Sequence, residues 1–441
     1  MLVVFRLQNF RSYAAEKRLS MVAGTGTELL SNAMRAEGLA SHTLLRSAAI
    51  YGANASGKSN LIQAFNFSKN FVLRSPETRR EGAEIPVLPF LLDLKLAKTP
   101  SEFEITFLLD GVRHQYGFIV SPERVSEEWL TVYPKGKAQE WFRRVVDSSG
   151  HSEWSFSRTH MRGDKIQLAE RTRENALFLS VAAQWNHPQI KTIYAWFRNQ
   201  IRVLPRQINA MGYTRKQLLK DDQFCDWTAG ILRAADIGIS GLSAKEREIR
   251  KEDLRFPSDM SADLRDYLTQ EFLEDLKVEV HTKHRVPGSE TEIEWDLEYE
   301  SDGTQRMLEL LGPIRDVLRR GAVLIMDELD TSLHAFITRS LVRLFNNPET
   351  NPNGAQLVFT THDTSLLDLT IFRRDQIWFT EKDQSGATDL YSLQDYSPRK
   401  GEAIQKGYLL GRYGAIPFID PLLFHSPPMP RGELESVPSE G

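Results

Sequence analysis

Residues 47–60 read SAAIYGANASGKSN. A short apolar run enters a glycine-bearing turn, and the chain leaves that turn with apolar residues at Leu61, Ile62, Ala64, Phe65 and Phe71, which is helical spacing. Strand, loop and helix therefore follow one another around Gly52-x-x-x-x-Gly57-Lys58-Ser59. The chemistry needs each of these residue types. Glycines let backbone N–H groups wrap phosphate oxygens, and the following helix aims its N-terminus at them. A lysine at position 58 reaches the β- and γ-phosphates, and the Ser59 hydroxyl ligates Mg2+. Gly52, Asn54, Gly57, Lys58, Ser59 and Asn60 are thus candidate ATP-binding residues. A chance glycine-rich turn is the competing reading, and it has to explain every fixed position as well as both flanks.

The chain around this stretch has 441 residues, which at roughly 150 per domain allows about three domains, or one with large insertions. With 41% hydrophobic and 26% charged residues it has a globular composition, neither disordered nor fibrous. Lys and Arg number 55 against 59 Asp and Glu, so the net charge of -4 excludes a protein that coats nucleic acid by bulk charge, but not a local basic groove. The single cysteine, Cys225, excludes an intrachain disulfide and a cysteine-based metal site, and suits a reducing cytosol. The first residues, MLVVFRLQNFRSY, are interrupted by Arg6, Gln8 and Arg11, unlike a signal peptide or membrane span. The expected location is the cytoplasm, with no membrane partner.

Upstream, residues 2–8 read as a strand. Downstream, 103–120 reads as a hairpin turning at Asp110-Gly111, a favoured two-residue turn, and 128–133 as a further strand. From 165 to 275 helical patterns dominate, as in 189–203 and 260–276. The mixed-charge run 244–255 reads as a solvated helix with i,i+4 pairs. Strands return at 277–282 and 292–299, a helix at 305–319, and a continuous apolar run at 321–326, the mark of a strand buried on both faces. A helix at 334–346 and strands at 356–360 and 376–380 complete an alternating pattern that predicts an α/β core. The tail from 425 is rich in Pro, Ser and Glu and reads as disordered.

The run at 321–326 ends in Asp327-Glu328. Carboxylates at the C-terminal end of a parallel strand stand where α/β sheets bind ligands. Asp327 would hold Mg2+ and Glu328 would orient and deprotonate the attacking water, while the plainer reading is an acidic helix N-cap. Ser301-Asp302-Gly303-Thr304 opens a helix, and its Ser hydroxyl, Gly backbone and helix N-terminus could bind an anion or could form a simple cap. His362 follows the next buried strand and could sense a γ-phosphate by hydrogen bonding, although a lone histidine is more often structural. Trp141, Trp154, Trp185 and Trp196 read as core or interface residues, and His281 and His284 lack a metal partner set.

FRLQNFRSY, AAIYGANASGKSN, SDGTQRML, DELDTSLH and FTTHDTSLLD together resemble the SMC/RecF/OLD-type ABC ATPases. With QIWFTEKD and GYLLGRYGAIPF the chain looks most like the RloA/AbiLi-like AAA-type ATPases of bacterial phage-defence loci. The resemblance spans roughly 1–135 and 295–418. It implies an ABC-type P-loop head of the α/β class, with a mixed sheet lobe, a parallel-sheet core and a mostly helical insert. Residues 1–135 would form the N-terminal ATPase half, 136–295 an insert for dimerisation or partner binding, and 296–424 the C-terminal half. It further implies nucleotide contact by Arg11, a signature segment at Ser301, Gly303 and Thr304, and a segment around Asp330 that crosses to a neighbouring subunit. A glutamine coupling Mg2+ to the insert is expected but has no assigned position.

In such heads the signature serine completes the site of the other subunit, so one turn and one signature per chain imply a homo-oligomer, at least a head-to-tail pair with ATP between protomers. Three functions compete. The first is an ATPase acting as sensor or scaffold in antiviral defence, with a separate effector such as a TOPRIM-like nuclease; the 79 residues after His362 are too few for that domain. The second is a RecF/SMC-like DNA-repair clamp that binds DNA under ATP control. The third, a nuclease or toxin in the insert, ranks last because 165–275 has no matching acidic or HNH set.

Overall fold

The computed structural model describes residues 1–39, 42–76, 82–206, 210–235, 238–248, 276–399 and 401–417. The largest sheet is antiparallel and joins β1 (Leu2–Gln8), β2 (Lys17–Ser20), β6 (Ser101–Leu109), β7 (Val112–Val120), β8 (Val125–Tyr133), β9 (Gln139–Val146) and β10 (Ser152–Phe156). Its order is β10-β9-β8-β7-β6-β1-β2. The β6–β7 hairpin turns on Asp110 (φ 50°) and Gly111 (φ 70°), both left-handed as a type I′ turn requires. A small hairpin, β3 (Ala33–Arg35) and β4 (Thr43–Leu45), lies beyond β2 in sequence.

The six-stranded core sheet contains β5 (Ser47–Gly52), β11 (Ile201–Leu204), β15 (Val323–Met326), β16 (Gln356–Thr360), β17 (Ile377–Lys382) and β18 (Thr388–Ser392). The order is β11-β15-β16-β5-β17-β18, with the first five parallel and β18 antiparallel. Alternate residues of this sheet feed two different cores. Ala48, Ile50, Val323 and Ile325 pack in one, and Ala49, Tyr51, Leu324 and Met326 in the other. That is why these strands read as unbroken apolar runs. Helix α1 (Lys58–Arg74) lies in the first core, where Phe65 stacks on Phe5 of β1 with ring centroids 3.8 Å apart. With it are α2 (Lys165–Glu170), α3 (Phe178–Gln184) and α4 (Pro188–Asn199). The second core is built by α5 (Met211–Lys220), α6 (Asp222–Ala234), α7 (Asp302–Arg320), α8 (Ala335–Asn346) and α9 (Ile404–Leu409). A third sheet, β12-β13-β14, is formed by Ile239–Glu248, Leu276–Arg285 and Glu292–Asp296. Among the described residues no helix is long and apolar enough to cross a membrane.

The α/β class therefore holds, and the helical insert needs correction. The predicted helix 189–203 stops at Asn199, because Ile201–Leu204 pair in parallel with Val323–Met326 and bury Ile201 and Val203 in one core, Leu204 in the other. The charged run expected to be helical begins as strand: Ala244–Glu248 pair with Leu276–Val280 in β13, so cross-strand hydrogen bonding replaces i,i+4 pairing. The rest of that run from 249, most of the helix expected at 260–276, and the tail from 425 lie outside the described residues. Since β9 and β10 extend the large sheet and β11 enters the core sheet, the described residues of 136–295 are not mostly helical throughout.

Glu128 on β8 ties the large sheet to α3. Its fully buried carboxylate accepts hydrogen bonds from Tyr116 Oη (2.9 Å), Phe178 N (2.7 Å) and Leu179 N (3.0 Å). Glu128→Ala orphans three buried donors and should cost about 3 kcal/mol of unfolding free energy, read as a lower urea midpoint.

Candidate functional site

The turn after β5 is shaped by contacts that no single motif encodes. Gly57 has φ 111°, and a Cβ there would lie 2.3 Å from Thr388 Oγ1. That hydroxyl cannot yield, because it donates to Ser56 O (2.9 Å) and is bonded to Ser12 Oγ (2.8 Å). Tyr13 Oη donates to Gly57 O at 3.1 Å and Asn60 Nδ2 to Ser12 Oγ at 2.8 Å, so the segment after β1 clamps the start of α1. Ser56 Oγ lies 2.7 Å from Thr380 Oγ1 of β17. Gly57→Ala should therefore weaken nucleotide binding at least about tenfold and lower thermal stability, seen by titration calorimetry and a melting curve.

Lys58 Nζ donates to Gly52 O (2.7 Å) and Ala53 O (2.9 Å). Burial pushes its ammonium down to about 8, against the raising pull of Asp327, Glu328 and Asp330. A bound polyphosphate would raise it again, so binding above pH 8 would require proton uptake. Below both values Lys58 is charged in either state and affinity is flat. As pH rises through about 8 affinity should fall, by up to tenfold per pH unit. Titrations at pH 7, 8 and 9 check this slope, and Lys58→Arg should flatten it.

Asp327 directly follows β15, and its N–H donates to Leu204 O at 3.1 Å. One hydroxyl bridges the acidic pair: Thr360 Oγ1 donates to Asp327 Oδ1 and accepts from Glu328 N, both at 2.7 Å. Glu328 has a left-handed backbone, φ 50°, a conformation that costs a residue of this type energy and is common where a side chain is aimed at a site. Its Oε1 accepts from Arg206 Nη1 and its Oε2 from Thr331 Oγ1, each at 3.1 Å. Asp330 Oδ2 accepts from His362 N at 3.2 Å. Burial, then the nearby Lys58, holds the His362 imidazole below its ordinary value, which favours the neutral ring at pH 7.

These elements converge on a cavity of about 640 Å3, walled by residues 54–60 together with Arg206, Glu328, His362 and Lys382. Asp327 lies behind that wall, 4% exposed. Its volume suits a nucleotide-sized ligand. Arg11 does not line it. Its own N–H donates to Leu88 O and its guanidinium sits 5.6 Å from the Phe10 ring, exposed to solvent. The signature residues are elsewhere too. Ser301 caps α7, its Oγ accepting from Thr304 N at 3.2 Å, and Gly303 packs so tightly on the 329–334 loop that a Cβ would lie 2.9 Å from Ser332 O. Within one chain the plain N-cap reading of Ser301 thus describes its contacts. Arg206 lies in none of the quoted motifs and Lys382 only within QIWFTEKD, with no role assigned to it there; the adjacency of β11 and β17 to the central strands puts both here. Gln207, the residue after Arg206, lies outside the described residues.

A parallel sheet whose strand ends carry the Gly52–Ser59 turn and an acidic pair has the layout of a P-loop protein. The family described as "AAA domain, putative AbiEii toxin, Type IV TA system" matches residues 47–368, from the first residue of β5 to beyond His362. The chain belongs to that family. No curated protein matches it. Among solved structures the chain is similar to an SMC head bound to the C-terminal winged-helix domain of ScpA, at 14% identity and TM-score 0.35, covering 89% of this chain and 97% of that one. It is also similar to the SMC head domain from Thermotoga maritima, at 13% identity and TM-score 0.38, over 89% and 98% of the two chains. A third is an Smc head with an extended coiled coil, bound to the C-terminal domain of ScpA derived from Pyrococcus furiosus, at 13% identity and TM-score 0.37, over 90% and 98%. The fold assignment here rests on the strand order and the family match.

Proposed function

We propose that the chain binds ATP with Mg2+ in the cavity above the core sheet, hydrolyses it, and uses the cycle to pair with a second copy head to tail. The observation that carries this reading is the convergence of Lys58, Ser59, Glu328 and His362 on one cavity from the ends of three parallel strands. Lys58 would leave its two carbonyls for the β- and γ-phosphates. Ser59 and Asp327 would hold Mg2+, which when bound neutralises charge on the phosphate oxygens. Glu328 would position and deprotonate the attacking water, and the neutral His362 ring would hydrogen-bond the terminal phosphate.

Ser301 is exposed, Gly303 half-buried and Thr304 buried at an N-terminus of α7 that does not wall the chain's own cavity. This supports a role on a neighbour's ATP, with Asp330 and its loop beside the same edge and Arg11 at the rim of the clamp around α1. Ser301→Arg is the test: ATP should bind within about twofold of wild type while turnover falls at least about tenfold and nucleotide-dependent pairing is lost in gel filtration. Unchanged turnover removes the shared site.

On this reading the biological role would be a sensor or scaffold ATPase of antiphage defence that acts in the cytoplasm and controls a separate effector. The resemblance to phage-defence ATPases supports it. Co-purification with products of adjacent genes tests it: a stoichiometric nuclease partner agrees, whereas tight ATP-dependent duplex binding by the chain alone, at stated salt, instead favours a DNA-repair clamp.

A further inference from the structure

The geometry points to Arg206 as the residue that distinguishes a triphosphate from a diphosphate, by exchanging the Glu328 carboxylate for the terminal phosphate. The inference rests on the nucleotide-binding reading above and adds to it a residue outside the expected site.

Arg206 is placed by strand pairing. Leu204 ends β11 directly beside Met326, and Asp327 N donates to Leu204 O at 3.1 Å, so the two chain segments leave the sheet side by side. Two residues on, the Arg206 guanidinium meets Glu328, the residue after Asp327, with Nη1 3.1 Å from Oε1. The Arg206 side chain is 66% exposed and that of Glu328 only 17%. The arginine is therefore the mobile partner of the pair, and an exposed ion pair of this kind is weak enough to exchange. Arg206 also stands in the cavity wall with Lys58, His362 and Lys382.

Two consequences follow for the resting protein. Both Glu328 oxygens are occupied, Oε1 by Arg206 and Oε2 by Thr331. A carboxylate engaged in this way is poorly placed to accept a proton from water. Among the described residues the guanidinium is in turn held by one hydrogen bond although it has five N–H donors. A terminal phosphate carries more charge than a carboxylate and presents several oxygens to that planar fork, so it should compete for Arg206 successfully. Exchange would free Glu328 Oε1 only when a third phosphate is present. A diphosphate, which ends short of Glu328, would leave the pair in place.

The test is titration calorimetry of the full chain with Mg2+ and either the non-hydrolysable β,γ-imido analogue of ATP or ADP. In Arg206→Ala the analogue should bind about 10- to 100-fold more weakly while ADP stays within about twofold, a range expected for loss of a charge-assisted bond. Arg206→Lys, which keeps the charge without the fork, should recover only part of the loss. In Glu328→Gln, where the competing charge is gone, the preference for the analogue over ADP should rise above wild type. Equal loss for both ligands in Arg206→Ala, or no loss for either, overturns the inference, as does full rescue by lysine together with an unchanged preference in Glu328→Gln. Unperturbed ADP affinity also reports that the variant is folded. If the wild-type chain binds neither ligand, or Lys58→Ala binds both as well as wild type does, the nucleotide-binding reading itself fails and takes this inference with it.

Discussion

Lys58→Ala should bind neither ATP nor ADP at concentrations that saturate the wild-type chain, a loss of at least about a hundredfold in affinity. The size follows from what the side chain leaves behind. Lys58 is 5% exposed, and its ammonium stands among Asp327, Glu328 and Asp330. Without it those three carboxylates face an incoming polyphosphate with Arg206, Lys382 and His362 as the remaining basic groups of the wall. Like charges at such separations in a half-enclosed site disfavour binding strongly. The fold should survive, because among the described residues Lys58 bonds only backbone carbonyls of its own turn, Gly52 O and Ala53 O. Titration calorimetry together with a melting curve separates the two outcomes. Binding within tenfold of wild type would remove the phosphate-binding assignment.

Glu328→Gln should retain ATP binding and lose turnover by about 100- to 1,000-fold, the scale typical of removing a positioned general base. Glutamine keeps the shape, and its carbonyl oxygen can still accept from Thr331 Oγ1, so the left-handed backbone at φ 50° need not change. What is lost is the ability to take a proton. On the proposed cycle the variant accumulates as the ATP-bound pair, detectable by gel filtration with ATP. Turnover within threefold of wild type would assign the base elsewhere.

Much of the site could be read locally. The Gly52–Ser59 turn is one contiguous stretch, and the acidic pair follows a run whose continuous apolar character already implied burial on both faces. Asp110-Gly111 was legible for the same reason, since only the two residues of the turn decide its φ angles. The 189–203 reading failed at its end because helical and strand periods overlap over a few residues, and the choice at Ile201 depended on a vacant position beside β15, some 120 residues away in sequence. The 244–248 run failed similarly: its charges suit a solvated helix, yet its backbone found a partner in β13.

Sequence alone determined the chemical inventory and its order: a strand into Gly52–Ser59, a second strand into Asp327-Glu328, a third into His362. These are short-range facts, set by propensity and by periodicity within each segment. Only the tertiary structure decided which strands are neighbours, and that brought Arg206 to Glu328, the Thr360 hydroxyl between the two acids, and Ser12 with Thr388 against the turn. It also carried Ser301 away from the chain's own cavity and put Arg11 outside the wall. Strand order is chosen by burial of whole faces in two cores at once, a global condition that no local window of residues contains.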